Sequence, residues 1–124
     1  MRGKPNRVIL VIDDDLVIVK LFAQILTKGG YAVLTASSGQ IAYHILQREP
    51  LDLVVLDLDM PPPDGFEILK ALRSKPKAPK VVVVSGFVDG ALLQASELFG
   101  ATTSLRKTDA PTNLLAIVNQ LLGR

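Results

Sequence analysis

Residues 51–65 read Leu-Asp-Leu-Val-Val-Leu-Asp-Leu-Asp-Met-Pro-Pro-Pro-Asp-Gly, and the fold follows from this stretch. Its first half, Leu51 to Leu56, is a mainly apolar run, the pattern of a strand covered on both faces. The run stops at Asp57 and Asp59, and the turn chemistry of Met60-Pro-Pro-Pro-Asp-Gly65 follows. Strands buried on both faces belong to parallel sheets, which gather functional residues at the carboxyl ends of their strands.

Reading outward, the same grammar recurs on both sides. Val8 to Ile12 is a continuous apolar strand, and from Asp15 apolar residues at 18, 21, 22, 25 and 26 keep helical spacing until Gly29-Gly30. Ala32 to Ala36 reads as a second strand. Ser37 or Ser38 then caps a helix that turns Ile41, Ile45 and Leu46 inward and ends before Pro50. Beyond the proline turn, Ile68, Leu69 and Leu72 mark a short helix, and Pro76 and Pro79 punctuate the loop after it. Val81 to Val84 is a strand, Leu92 to Phe99 a helix and Thr102 to Leu105 a weak strand. Asp109 caps a last helix with Leu114, Ile117, Val118 and Leu121 on one face. Strict alternation of strand and helix predicts an α/β fold: a doubly wound five-stranded parallel sheet with five helices and right-handed crossovers.

Composition narrows the chemistry. The 124 residues fit one domain, at 48% hydrophobic and 21% charged. With no cysteine there is no thiolate zinc site, iron–sulfur cluster or thiol nucleophile, and the single His44 provides no histidine cluster for a transition metal. A net charge of +2 gives no reason to expect nucleic acid as a partner. The basic start, Met1 to Arg7, is followed by an apolar run that ends at Asp13, too short for a signal segment. No run approaches a bilayer span, so neither membrane insertion nor export is predicted and the expected location is cytoplasmic.

Chemistry-bearing residues collect where the sheet rule places them. The first strand ends in Asp13-Asp14-Asp15, the third in Asp57 with Asp59 close behind, and the fourth in Ser85-Gly86; Lys107 follows the fifth. Crowded carboxylates repel and require a cation, a proton or water between them. A donor set of oxygens alone suits Mg²⁺. A bound metal attracts a phosphoryl group, whose oxygens Lys107 and the Ser85 hydroxyl are placed to receive, and a carboxylate there is a candidate phosphoryl acceptor.

Val8–Asp14, Leu51–Gly65, Val81–Gly86 and Gly100–Lys107 together resemble the receiver domain of two-component response regulators, over nearly the whole chain. The separations agree: 43 residues from Asp14 to Asp57, 28 on to Ser85 and 22 more to Lys107. The most specific element is Asp57 to Gly65, which matches the family pattern D-x-x-M-P-x-x-D-G in register. The resemblance implies a flavodoxin-like strand order of 2-1-3-4-5 over a domain spanning 1–124, with residues 1–6 a flexible leader. It implies Asp57 as the phosphoacceptor, charged by a histidine kinase or histidine phosphotransfer protein. It also implies Mg²⁺ held by Asp13, Asp14, Asp57 and the backbone carbonyl of Asp59. Ser85, Gly86 and Lys107 would surround the phosphoryl group. Output would pass through the face of the fourth helix, fifth strand and fifth helix, also a candidate homodimer surface, to which Leu115 and Leu122 add apolar area. Such a domain assists only its own phosphorylation and dephosphorylation and is not otherwise an enzyme.

Two positions depart from the family pattern. Ser104 stands where relatives usually carry Tyr or Phe, so the usual aromatic swing has no ring to move. Thr108 follows the lysine where proline is usual, which predicts a trans peptide because a non-proline cis bond costs about 2.5–4 kcal/mol. These favour a competing reading, a pseudo-receiver that serves as an interaction module without phosphorylation-dependent switching. Asp59 adds a carboxylate where relatives are often neutral and is expected to alter how water reaches the phosphoryl group.

Other readings are weaker. Asp57-Leu-Asp59 also resembles the D-x-D motif of haloacid-dehalogenase-type phosphatases, but that family places its acidic pair far downstream. A flavodoxin-type flavin site would seat a phosphate on the first loop, where three aspartates repel it. His44 reads as structural or solvated. Lys70, Arg73, Lys75, Lys77 and Lys80 read as a solvated run, and Pro61 to Pro63 as a stiff turn.

Overall fold

A computed structural model describes residues 6–86 and 90–123, without the side chains of residues 90–93. Five strands, β1 (Val8–Ile12), β2 (Ala32–Ala36), β3 (Leu53–Asp57), β4 (Lys80–Ser85) and β5 (Thr103–Arg106), alternate with five helices. The helices are α1 (Leu16–Lys28), α2 (Gly39–Arg48), α3 (Gly65–Arg73), α4 (Gly90–Leu98) and α5 (Ala110–Leu121). All strand pairs are parallel and the order is β2-β1-β3-β4-β5, the flavodoxin-like arrangement.

Successive side chains of a strand point to opposite faces, and the apolar runs fill both. On one face Leu10, Ile12, Val54, Leu56 and Val83 pack with Leu46 of α2 and Ile68, Leu69 and Leu72 of α3. On the other Ile9, Val11, Leu53, Val55, Val82 and Val84 meet Phe22 and Leu26 of α1 and Leu114 and Val118 of α5. Phe22 is among the largest fully buried side chains, so Phe22→Ala is expected to cost about 3–5 kcal/mol, read as a lower urea midpoint at unchanged slope.

Register brings the strand ends level. Ile12 pairs with Leu56, and Leu56 with Val83, so β1, β3 and β4 run out on one edge together. Asp15 caps α1 by accepting from the amides of Val17 and Ile18, and Ser38 caps α2 through the Ile41 amide.

Several details differ from the sequence reading. β3 starts at Leu53 rather than Leu51, and α4, β5 and their neighbours shift by one or two residues. Ile41 is exposed, because a helix beginning at Gly39 with Leu46 inward also turns Ala42 inward, three residues on from Gly39, and leaves 41 outside. Asp109 occupies the cap position of α5 but makes no side-chain cap bond. Leu122 is buried, and Leu115 lies against Gly29 at the end of α1, so the extra apolar surface expected on the last helix is largely taken up inside the fold. Two members of the run read as solvated also make defined bonds: the half-buried Lys75 donates from its ammonium to the carbonyls of Leu46 and Glu49 at the end of α2, and Arg73, which stays exposed, donates to the Phe99 carbonyl. Apart from Asn6, the leader expected to be flexible lies outside the described residues.

Candidate functional site

The β1 strand delivers Asp13 to the carboxyl edge, where its backbone N–H still bonds the Ala36 carbonyl of β2 at 3.1 Å. Its Oδ1 accepts from the Asp15 amide at 2.9 Å, which fixes the rotamer and leaves Oδ2 pointing elsewhere. The last residue of β3, Asp57, is held in the same way: Oδ1 accepts from the Asp59 amide at 2.9 Å. Gly65 lets α3 start directly against this strand end. A Cβ there would lie 2.7 Å from the Asp57 carbonyl oxygen and 2.8 Å from the Leu58 Cα, which no side chain tolerates. Asp64 caps that helix through the Glu67 amide.

Lys107 is brought over by the bond from its own N–H to the Ser85 carbonyl, 2.8 Å. Its ammonium lies 3.0 Å from Asp13 Oδ2 and 3.5 Å from Asp57 Oδ2. Both oxygens are buried, and neither accepts a well-formed hydrogen bond among the described residues. Asp13 and Asp57 are each 1% exposed, whereas Asp14 is open to solvent. One ammonium between two buried carboxylates leaves an excess negative charge, which a divalent cation would balance. Oxygen atoms of Asp13, Asp14 and Asp57 come within 4.8 Å of one another, close enough to share one ion. The residues present therefore fit Mg²⁺.

Electrostatics carry the same message. Burial, opposed by the Asp59 amide and by Lys107 but reinforced by Asp13 and Asp59, pushes the Asp57 carboxyl from 3.8 up to about 7. For Lys107 burial favours the neutral amine, yet Asp13 and Asp57 outweigh it and hold the ammonium above its ordinary 10.5.

Ser85 is fully buried at the end of β4. Its hydroxyl lies 3.3 Å from both carboxylate oxygens of Asp59, and the Gly86 N–H donates to Asp59 Oδ2 at 2.8 Å. The sequence reading gave Asp59 a backbone carbonyl and a nearby charge; it did not foresee these side-chain bonds. The only signal was a third acid two residues beyond Asp57, and spacing in a loop does not tell which way a side chain turns. Ser104 donates to Glu97 Oε2 of α4 at 2.7 Å, so the departing residue ties β5 to the neighbouring helix. Among the described residues the Lys107–Thr108 peptide is trans, as expected without proline. His44 is exposed on α2. A groove of about 800 Å³ lined by Phe66, Glu67, Lys70, Arg73, Ser74 and Phe99 runs beside α3, and none of the carboxylate-site residues borders it.

The family model for the response regulator receiver domain matches residues 9–119. This chain belongs to the receiver domain family. Sporulation initiation phosphotransferase F of Bacillus subtilis is 33% identical over 102 residues, 82% of each chain. Other curated relatives are longer: response regulator GtcR of Aneurinibacillus migulanus is 28% identical over 96% of this chain, which spans only 49% of it. Among solved structures, a CheY-like receiver domain protein from Methanospirillum hungatei has a TM-score of 0.88 at 26% identity, covering 96% of this chain and 95% of that one. The chemotaxis response regulator CheY4 of Vibrio cholerae has a TM-score of 0.86 at 28% identity, covering 94% and 99%. The receiver is thus a module of two-component phosphorelays, for signalling rather than catalysis, and its Asp13, Asp14 and Asp57 form the acidic triad typical of the family's Mg²⁺ site. Among the described residues no helix is long and apolar enough to cross a membrane.

Proposed function

We propose that Asp57 is a phosphoacceptor, charged by a phosphohistidine on a histidine kinase or histidine phosphotransfer protein in the cytoplasm. The observation that carries this reading is Asp57 itself: a buried carboxylate at a strand end, with an ammonium on one side and two further carboxylates within ligand distance of a shared ion.

In the transfer, an Asp57 carboxylate oxygen bonds to phosphorus as the phosphorus–nitrogen bond of the donor breaks, and the departing imidazole keeps the electron pair and takes up a proton. Asp13, Asp14, Asp57 and the Asp59 carbonyl would hold Mg²⁺, which supplies charge neutralisation when bound. Lys107 pairs with one oxygen of the transferred group, and the Ser85 hydroxyl and Gly86 N–H serve the others. Gly86, without a side chain, leaves the donor an approach. The acyl phosphate then biases a two-state surface of the domain toward a protein partner, with a second copy at the α4–β5–α5 face as one candidate.

The pseudo-receiver reading keeps one specific support, the Ser104–Glu97 bond at 2.7 Å, which occupies the position of the aromatic switch with a fixed polar tie. Titration with beryllofluoride and Mg²⁺, followed by amide NMR, separates the two. Saturable, Mg²⁺-dependent shifts lost in Asp57→Ala support the phosphoacceptor. Shifts that extend to Ser104 and α5 show that switching survives without the ring. A spectrum unmoved in wild type leaves the pseudo-receiver.

A further inference from the structure

The donors that a phosphoryl group on Asp57 would need are already engaged. The Gly86 N–H points at Asp59 Oδ2 at 2.8 Å, and the Ser85 hydroxyl sits 3.3 Å from both Asp59 oxygens. The same loop is pinned at its other end, because the Asp59 amide donates to Asp57 Oδ1 at 2.9 Å. Asp59 therefore arches from the acceptor residue across to the end of β4. A Cβ added to Gly86 would lie 3.5 Å from Asp59 Oδ2 and 4.0 Å from the Lys107 Cδ, so both side chains border Gly86.

A carboxylate and a phosphoryl group are both oxyanions that seek N–H and O–H donors. A single amide N–H makes one strong bond at a time, and two anions side by side repel. We propose that Asp59 is an internal oxyanion latch, which holds the Ser85 and Gly86 donors in the resting chain and must swing out before a phosphoryl group on Asp57 is bound. The proposal rests on the phosphoacceptor reading and adds a regulatory element to it. The latch raises the threshold for charging and favours return to the resting state, since the ejected carboxylate competes for the same donors. It acts through position as well as charge, and this separates it from simple repulsion.

The test compares wild type, Asp59→Asn and Asp59→Ala as beryllofluoride is titrated at saturating Mg²⁺. Asparagine removes the charge but keeps an oxygen that accepts from Gly86; alanine removes both. The latch predicts affinity in the order alanine, then asparagine, then wild type, with alanine about tenfold tighter than wild type. It also predicts, before any ligand is added, an upfield move of the Gly86 amide proton in Asp59→Ala and a smaller one in Asp59→Asn. Equal affinities for the two variants would mean that charge alone acts and would overturn the latch, as would alanine binding no tighter than wild type. Binding by none of the three proteins would remove the phosphoacceptor reading, and the latch with it.

Discussion

Asp57→Asn is expected to stabilise the domain at pH 8 by about 2–4 kcal/mol in the absence of divalent cations. The sign follows from the direction of the shift. The Asp57 carboxyl titrates near 7 in the folded chain against 3.8 when unperturbed, chiefly because it is buried. Between those values the folded chain binds a proton that the unfolded chain has released, so stability falls as pH rises through this window. Above it the folded state carries the full cost of a buried carboxylate beside Asp13. Asparagine removes that charge, fits the same space and keeps an oxygen for the Asp59 amide. The gain should therefore be large at pH 8 and shrink toward pH 4. Millimolar Mg²⁺ should narrow it, by stabilising wild type more than the variant. Urea unfolding at the two pH values, with and without Mg²⁺, measures all of these; a variant no more stable than wild type at pH 8 would contradict the charge balance proposed for the site.

Lys107→Met should act in the opposite sense. The ammonium is the one cation within 4 Å of the buried oxygens of Asp13 and Asp57 among the described residues. Without it two desolvated carboxylates face each other. Removing one partner of a buried pair costs roughly 3–5 kcal/mol, and partial exposure of the lysine reduces the expectation here to about 2–3 kcal/mol at pH 8. Lys107 also holds the Asp57 carboxyl down, so its loss raises that group further and the penalty is smaller at pH 5, where protonation relieves it. In wild type the lysine's own contribution persists to alkaline pH: its folded value lies above 10.5, and the stability it confers fades only as pH rises through that elevated value. Millimolar Mg²⁺ should restore part of the stability lost in the variant. Thermal or urea denaturation that finds no loss would mean that the carboxylates are balanced by something other than this lysine.

What the sequence made legible was the part set by periodicity. The valine run at 81–84 and the apolar run at 8–12 read as strands because short, continuous apolar runs rich in β-branched residues and bounded by turns suit buried strands, and strict alternation with helices fixed the sheet as parallel. The carboxyl-edge rule then collected Asp13, Asp57, Ser85 and Lys107 from four separate segments. The structure brings Asp13, Asp57 and Lys107 within ion-pair distance, and Ser85 to the neighbouring strand end.

Side-chain direction in irregular segments was not legible. Asp59 lies in a loop where no period constrains it, so its turn toward Ser85 and Gly86 had no pattern to betray it. Lys75 looked like one more solvated charge, yet its long stem carries the ammonium onto the carbonyls that end α2, a contact visible only once the helices are packed. Ile41 failed for a smaller reason: the phase of a ten-residue helix depends on its starting residue, and one position of uncertainty rotates each side chain by about 100°. Ser104 differs in chemistry from the usual ring, and its bond to Glu97 belongs to this chain.

The most direct test of the central claim is covalent. The intact chain, incubated with Mg²⁺ and a small acyl phosphate donor such as acetyl phosphate, should gain the mass of one phosphoryl group. Borohydride reduction followed by peptide mapping should place that group on Asp57, with no gain when Mg²⁺ is chelated. A folded, Mg²⁺-saturated chain that gains no phosphoryl group, or carries it on a residue other than Asp57, would contradict the account.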